Sequence, residues 1–305
     1  MIIAPGYIGI DICKTHLDIY DGRDRRIENT AAGIAAFVGG LVEPQLVLFE
    51  ATGRYDLALR NGLDRAGIAY VRTNPARARN FARSVGQLAK TDRIDARMLA
   101  AMAQTLQPAP TEPVDAERQD LADLHRRRTQ LVQARQRERT RRHTASPAIL
   151  PSITHHIAYL DEQIDQLDSR IGERIAASAA LSAAARLLRS IPGIGPVAAT
   201  ALLALLPELG QRPGKAIAAL CGLAPINRDS GAWRGKRCIG GGRADVRKAL
   251  YMAAVTASRS NPSLAATYKA LIARNKPPKL ALVAIARKLS VIANAILKSA
   301  TPFAN

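Results

Sequence analysis

The sequence predicts an α/β domain at the N-terminus followed by a mainly helical remainder, and three observations carry that expectation. Short apolar runs alternate with helical periodicity through roughly the first hundred residues. An arginine-laden helical stretch and a long apolar seam follow. The last third is helical and punctuated by Gly and Pro.

Tyr7 to Ile12 is a short apolar run, and His16 to Tyr20 and Arg25 to Asn29 make two further strands around a turn at Gly22. Thr30 is placed to cap a helix through Ala31 to Phe37. Gln45 to Glu50 reads as a buried strand, and a helix from Tyr55 to Ala66 is closed by Gly67. Ile68 to Arg72 is another strand, and from Pro75 the pattern is helical. Pro113 to Arg142 is a polar helix carrying Arg126, Arg127, Arg128 and Arg135, and it must break between Ser146 and Pro151. Beyond the break, Ile153, Ile157, Leu160, Ile164, Leu167, Ile171 and Ile175 recur at alternating steps of four and three, the spacing of a coiled-coil seam. The expected element is a helical hairpin between two domains, dimerising along the seam and touching phosphates along its arginine face. Leu187 to Leu206 holds Gly193-Ile194-Gly195 ahead of an Ala-rich helix. A loop-rich basic segment runs from Cys221 to Arg243, and helices follow, broken near Pro262 and Pro277-Pro278. The expected divisions are residues 1–108, 109–182 and 183–305.

With 305 residues and 48% hydrophobic content, the chain has ample material for real cores, which excludes general disorder. Lys and Arg number 44 against 25 Asp and Glu, a formal net charge of +19. Such a surface attracts polyanions by releasing their counterions. Nucleic acid is favoured over an anionic membrane, because no apolar run reads as long enough to span a bilayer. Three cysteines without metal-ligand spacing fit a reducing cytosol, and no targeting segment is read, so the expected location is cytoplasmic.

Asp11 lies inside an apolar strand, and Glu50 ends another. A charge there is costly unless something pairs with it. Asp92 and Asp95 stand three apart on a helix, hence on one face. Each of the last two alone could be an ordinary helix-start acid. Together, four converging acids need divalent cations. Mg²⁺ is the natural oxygen-seeking choice, and two ions about 4 Å apart can clamp a phosphoryl transfer.

These motifs, Gly9-Ile10-Asp11, Phe49-Glu50-Ala51-Thr52-Gly53-Arg54-Tyr55 and Lys90-Thr91-Asp92-Arg93-Ile94-Asp95-Ala96, resemble those of the DEDD insertion-sequence transposases. The group is the family numbered one hundred and ten, which takes in the Piv-type invertases and the bridge-RNA-guided recombinases. The resemblance implies a ribonuclease H-like (RuvC-like) N-terminal domain binding Mg²⁺, with Mn²⁺ as a substitute, and places Arg54 and Arg93 beside nucleic acid.

Gly193 and Gly195 look like a helix-hairpin-helix turn that brings backbone to a phosphate, although an ordinary turn between packed helices has the same signature. Ser230-Gly231 alone is most often a turn. Here it follows Leu223-Ala224-Pro225 and sits among Arg228, Arg234, Lys236, Arg237 and Arg243, an electropositive cradle for a phosphate. This block is similar to the family's C-terminal transposase domain, whose serine precedes a glycine. The resemblance then implies that Ser230 attacks phosphorus, sharing its substrate with the acids of another subunit. It also implies a structured guide RNA, and a homodimer that assembles to a tetramer on DNA. Aromatics at 4% leave few stacking platforms, which agrees with sequence reading delegated to a guide. Two other readings stay open: a RuvC-like nuclease using water, and a non-catalytic nucleic-acid-binding protein.

Overall fold

The computed structural model describes residues 2–87, 92–113, 115–227, 229–231, 233–235 and 237–304, with the side chains of Asp92 and Arg93 outside that set. The chain divides into two compact units, 1–113 and 114–305.

The first unit is a five-stranded sheet clad by helices. In chain order it runs β1 (Tyr7–Ile12), β2 (His16–Tyr20), β3 (Asp24–Glu28), α1 (Ala31–Gly39), β4 (Leu46–Glu50), α2 (Leu57–Arg65), β5 (Tyr70–Thr73), α3 (Pro75–Ser84) and α4 (Asp92–Leu106). The sheet order is β3-β2-β1-β4-β5. Strands β1 to β3 form an antiparallel meander, whereas β4 and β5 join parallel to β1, as strands reached through helical crossovers must. Thr30 caps α1 as the sequence predicts, its side chain accepting from the Gly33 amide at 3.2 Å.

Side chains alternate across a strand, so each face has its own core. Ile8, Ile10, Ile12, Val47 and Phe49 face α1 and α2. Leu46, Leu48 and Val71 face α3 and α4, where Leu99, Met102 and Ala103 meet them. Gly9 sits on this second face, and α4 lies directly on it. A Cβ built on Gly9 would collide with the Ala96 carbonyl oxygen and the Ala100 nitrogen, and would stand 3.0 Å from Leu99 Cβ. The absent side chain is what lets the helix backbone approach the strand backbone.

The second unit is mostly helical: α5 (Ala116–Arg142), α6 (Leu150–Ala177), α7 (Ala179–Arg189), α8 (Pro196–Leu205) and α9 (Gly214–Leu220). Four two-residue strands follow, β6 (Pro225–Ile226), β7 (Asp229–Ser230), β8 (Trp233–Arg234) and β9 (Cys238–Ile239). The unit ends with α10 (Ala244–Ser260), α11 (Pro262–Ala273) and α12 (Pro278–Ser299). Its core gathers Leu188, Leu202, Ile217, Leu250, Ala254 and Leu289 from α7 to α10 and α12.

The hairpin packs into the second unit, where Leu121 and Ala122 of α5 are buried in the same core as α8 and α10. The seam on α6 packs against its own neighbour: Leu160, Ile164 and Leu167 bury Leu131 of α5. Finally, α12 is in fact long and apolar enough to cross a membrane by length and composition. Here Ala281, Ile285, Ala286, Leu289 and Ala293 are buried, so it serves as a core helix.

Gly9→Ala should lower stability by about 1–3 kcal/mol through overpacking, since helix backbone rather than a flexible side chain must give way. Urea unfolding measures it, and an unchanged midpoint would contradict the packing described.

Candidate active site

In β1, Gly9 and Asp11 point to the α4 face, and in β4 so do Leu48 and Glu50. Ile10 pairs with Phe49, so the next residues along the two parallel strands, Asp11 and Glu50, stand side by side at the C-terminal end of the pair. Helix α4 runs antiparallel to β1. Gln107, just past its C-terminus, donates from Nε2 to the Tyr7 hydroxyl at 3.0 Å, while Ala96 and Ala100 cover Gly9. Its first turns therefore lie over the strand ends that carry the acids. Asp95 is half-buried there, as are Asp11 and Glu50. Asp92 opens α4, but its side chain lies outside the described residues, as does that of Arg93. Among the described residues no group of three acids or other ligands is closed tightly enough to hold a metal. The donor set at this edge is carboxylate oxygen throughout, the chemistry that suits a hard divalent cation.

Two buried acids beside this edge escape a reading of the sequence. Asp18 stands opposite Asp11 across the β1–β2 pair, on the same face, and is 3% exposed. Arg26 of β3 grips it with two hydrogen bonds of 2.9 Å, and His16 Nε2 lies 3.3 Å away. A bidentate guanidinium offsets the charge that Asp18 would otherwise add next to Asp11. Asp56 is fully buried behind the turn that follows Glu50. Arg72 of β5 donates to it at 2.6 Å and to the Gly53 carbonyl at 3.3 Å, pinning that turn from below. Arg54 lies exposed in the same turn, where Gly53 adopts a φ of +75°.

In the second unit, Ser230 is exposed on a small hairpin, paired across to Trp233, while Asp229 pairs with Arg234. Gly231 turns the hairpin with a φ of +55°. Trp233 is 63% exposed and is the chain's one tryptophan. Arg234 and Arg237 are exposed beside it, and Arg228 and Lys236 lie outside the described residues. The base of the segment is fastened firmly. A Cβ on Gly242 would strike the Gly222 backbone, the Arg243 amide donates to the Leu220 carbonyl at 2.8 Å, and Arg247 donates to the Gly241 carbonyl at 2.7 Å. Arg243 is held by Glu208 through two hydrogen bonds of 2.6 and 2.7 Å, so it anchors the segment. Burial pushes the Glu208 carboxyl up, but the bonds and charge of Arg243 outweigh it and hold the group below its ordinary value. Nearby Cys221 is buried, and its thiol is pushed up to about 11, which leaves it unreactive.

The hairpin arginines are largely engaged. Arg128 chelates Asp168, Arg135 bonds to Asp161, and Arg174 reaches Asp120 at 3.1 Å. Arg126 pairs with Asp123 at 2.7 Å on its own helix, and Arg127 meets Gln130 at 3.4 Å. Gly193, with a φ of +105°, is explained by packing: a Cβ there would come within 2.5 Å of the Ala257 Cβ on α10. Gly195 is the residue before α8, and a Cβ on it would meet nothing.

An acid edge on an α/β unit, and a serine beside exposed arginines on a helical unit, suit a strongly basic protein that acts on nucleic acid. Comparison with known proteins agrees. Residues 8–147 match the DEDD transposase family of the IS110 group, and residues 185–269 match the transposase IS116/IS110/IS902 family. The chain is 30% identical to the pilin gene-inverting protein of Moraxella lacunata over 318 residues, covering 99% of this chain and 98% of that one. It is also 30% identical to the pilin gene-inverting protein of Moraxella bovis over 317 residues, with the same coverage. The chain belongs to the IS110 family of transposases. Its DEDD domain implies dependence on a divalent metal.

Glu208→Gln should cost about 1 kcal/mol near neutral pH, allowing for the pair's partial exposure. Because the folded carboxyl titrates below its ordinary 4.5, its contribution is complete above pH 4.5 and lost as pH falls through the folded value. Urea unfolding across that range should show wild type and variant converging in acid, and a gap independent of pH would refute the pairing.

Proposed function

We propose that the protein cuts and rejoins DNA through a phosphoserine intermediate at Ser230, helped by Mg²⁺ held at Asp11, Glu50, Asp92 and Asp95. The observation that carries the reading is the meeting of Asp11, Glu50 and the first turns of α4 at one edge of the sheet. The order β3-β2-β1-β4-β5 also supports a ribonuclease H-like assignment for this unit.

The chemistry balances without ATP. The Ser230 Oγ attacks phosphorus, the bond from phosphorus to the 3′ oxygen breaks, and that oxygen leaves as a hydroxyl carrying the proton lost by the serine. A 3′-hydroxyl from a new partner then attacks the phosphoserine, the bond from phosphorus to Oγ breaks, and the serine regains its proton. The divalent ion, when bound, stabilises charge on the phosphoryl oxygens. Arg234 and Arg237 hold the phosphate near the serine, and Arg243 with Glu208 and Arg247 keeps the hairpin in place. Sequence choice falls to a structured guide RNA, in keeping with the low aromatic content, and a homodimer pairs into a tetramer on DNA so that acids and serine from different subunits share a phosphodiester.

The test is a denaturing gel of full-length protein expressed with its flanking element, given Mg²⁺ and labelled DNA. A covalent adduct is expected, abolished in Ser230→Ala and reduced at least about a hundredfold in Asp11→Asn. Cleavage without an adduct would replace the serine with water, and the absence of both products would leave a binding protein.

Trp233 separates binding from chemistry, since DNA reaching the hairpin should change its emission equally in wild type and Ser230→Ala. Emission indifferent to DNA would argue that the substrate docks elsewhere.

A further inference from the structure

Within the second unit, a cleft of about 470 Å³ opens between the α5–α6 hairpin and the α7–α8 pair. Its walls are aliphatic, from Ile171 and Ile175 on α6, Ala185 on α7 and Val197 on α8. Arg128, Arg186 and Arg189 line it as well. Asp168 neutralises Arg128, whereas neither Arg186 nor Arg189 is in an ion pair among the described residues, and both are exposed. Pro196 and Val197, the first residues of α8, form part of the lining, so the positive end of a helix faces the same space.

The deciding feature is His125. It lines the cleft, is only 6% exposed, and its Nδ1 is covered without a hydrogen-bond partner among the described residues. Burial first, and the charge of Arg128 next, lower its pKa, so the ring is neutral near pH 7. A neutral imidazole can donate or accept, and a ring in the wall of a cavity with one nitrogen unpartnered can turn to offer it to a ligand's polar edge.

Apolar walls, one buried hydrogen-bonding group and a cationic rim match the parts of a nucleotide. We propose that this cleft takes one unstacked nucleotide of a nucleic-acid strand. Its phosphate lies on Arg186, Arg189 and the start of α8, its sugar and base lie along the aliphatic walls, and a base edge meets His125. A base within a duplex keeps both faces stacked and cannot enter, so the site selects an unpaired or flipped nucleotide. It shares no residue with the acid edge or the Ser230 hairpin, and does not depend on their chemistry.

Gly172 on α6 provides the test. It lines the cleft, and a Cβ there meets nothing within 4 Å, so a large side chain can fill the space without backbone strain. Gly172→Phe in the full-length chain should weaken binding of labelled oligo(dT) or oligo(rU) about tenfold, the loss of one base's contacts, while Gly172→Ala and duplex binding stay unchanged. Arg186→Ala and Arg189→Ala should each reduce the salt slope for single strands by about 0.7. The tighter of the two oligomers identifies the strand as DNA or RNA. Independently of any variant, the His125 ring resonances of the wild-type protein should shift on adding the oligomer. Unweakened single-strand binding by a folded Gly172→Phe, or His125 signals that do not move, would overturn the proposal.

Discussion

Backbone lying against backbone is the constraint on which the rest of this molecule depends. Because Gly9 has no side chain, α4 settles directly on β1 with its N-terminal turns above the strand end, and the acids from strand and helix are delivered to a common edge. Any side chain at that position would lift the helix, and the carboxylates would separate before their own environment had changed at all. The second unit uses the same device twice. Gly193 admits α10 beside the α7–α8 turn, and Gly222 against Gly242 closes the neck from which the serine hairpin emerges. In all three places a glycine serves close packing, and the functional group lies a few residues away.

The distribution of charge follows a related logic. A formal +19 suggests a surface of unattached cations, yet many arginines are committed inside the fold. Arg26 holds Asp18, Arg72 holds Asp56 and Arg243 holds Glu208, and each of these pairs stands next to a group proposed for the chemistry. Removing one member of such a pair strands the other in a poorly solvated place, so these contacts fix geometry more than they add net stability. The hairpin spends further arginines on α6 carboxylates, which leaves Arg186, Arg189, Arg234 and Arg237 among the exposed cations.

Much of this was legible in the residues. Periodicity located the five strands of the first unit and its α1 and α2 to within about two residues, whereas α7, α9 and the four short strands of the second unit were not separately predicted; the placement of Asp11 and Glu50 at strand positions was readable because a charge in an apolar run stands out. The partners were not readable. Asp18 faces Asp11 only through an antiparallel register, and Glu208 reaches Arg243 across the fold, neither of which leaves a local pattern. The α6 seam illustrates the same limit. Its spacing was correct, but a stripe does not say what covers it, and the cover is α5 of the same chain. Gly193 likewise carried a turn signature, and its contact with Ala257 lies sixty-odd residues downstream, far beyond the reach of any local pattern.

The burial of α12 bears on how the chain acquires its structure. The first unit contains every element of its own sheet and can condense as soon as α4 is available. The second cannot, because α5 opens its core and Ile285, Leu289 and Ala293 of α12 complete it after every intervening helix has been made. Until then α9 and α10 have apolar faces without their final cover. A nascent chain would thus emerge with one half folded and the other awaiting a greasy closing helix, an interval in which aggregation and chaperone capture compete with folding.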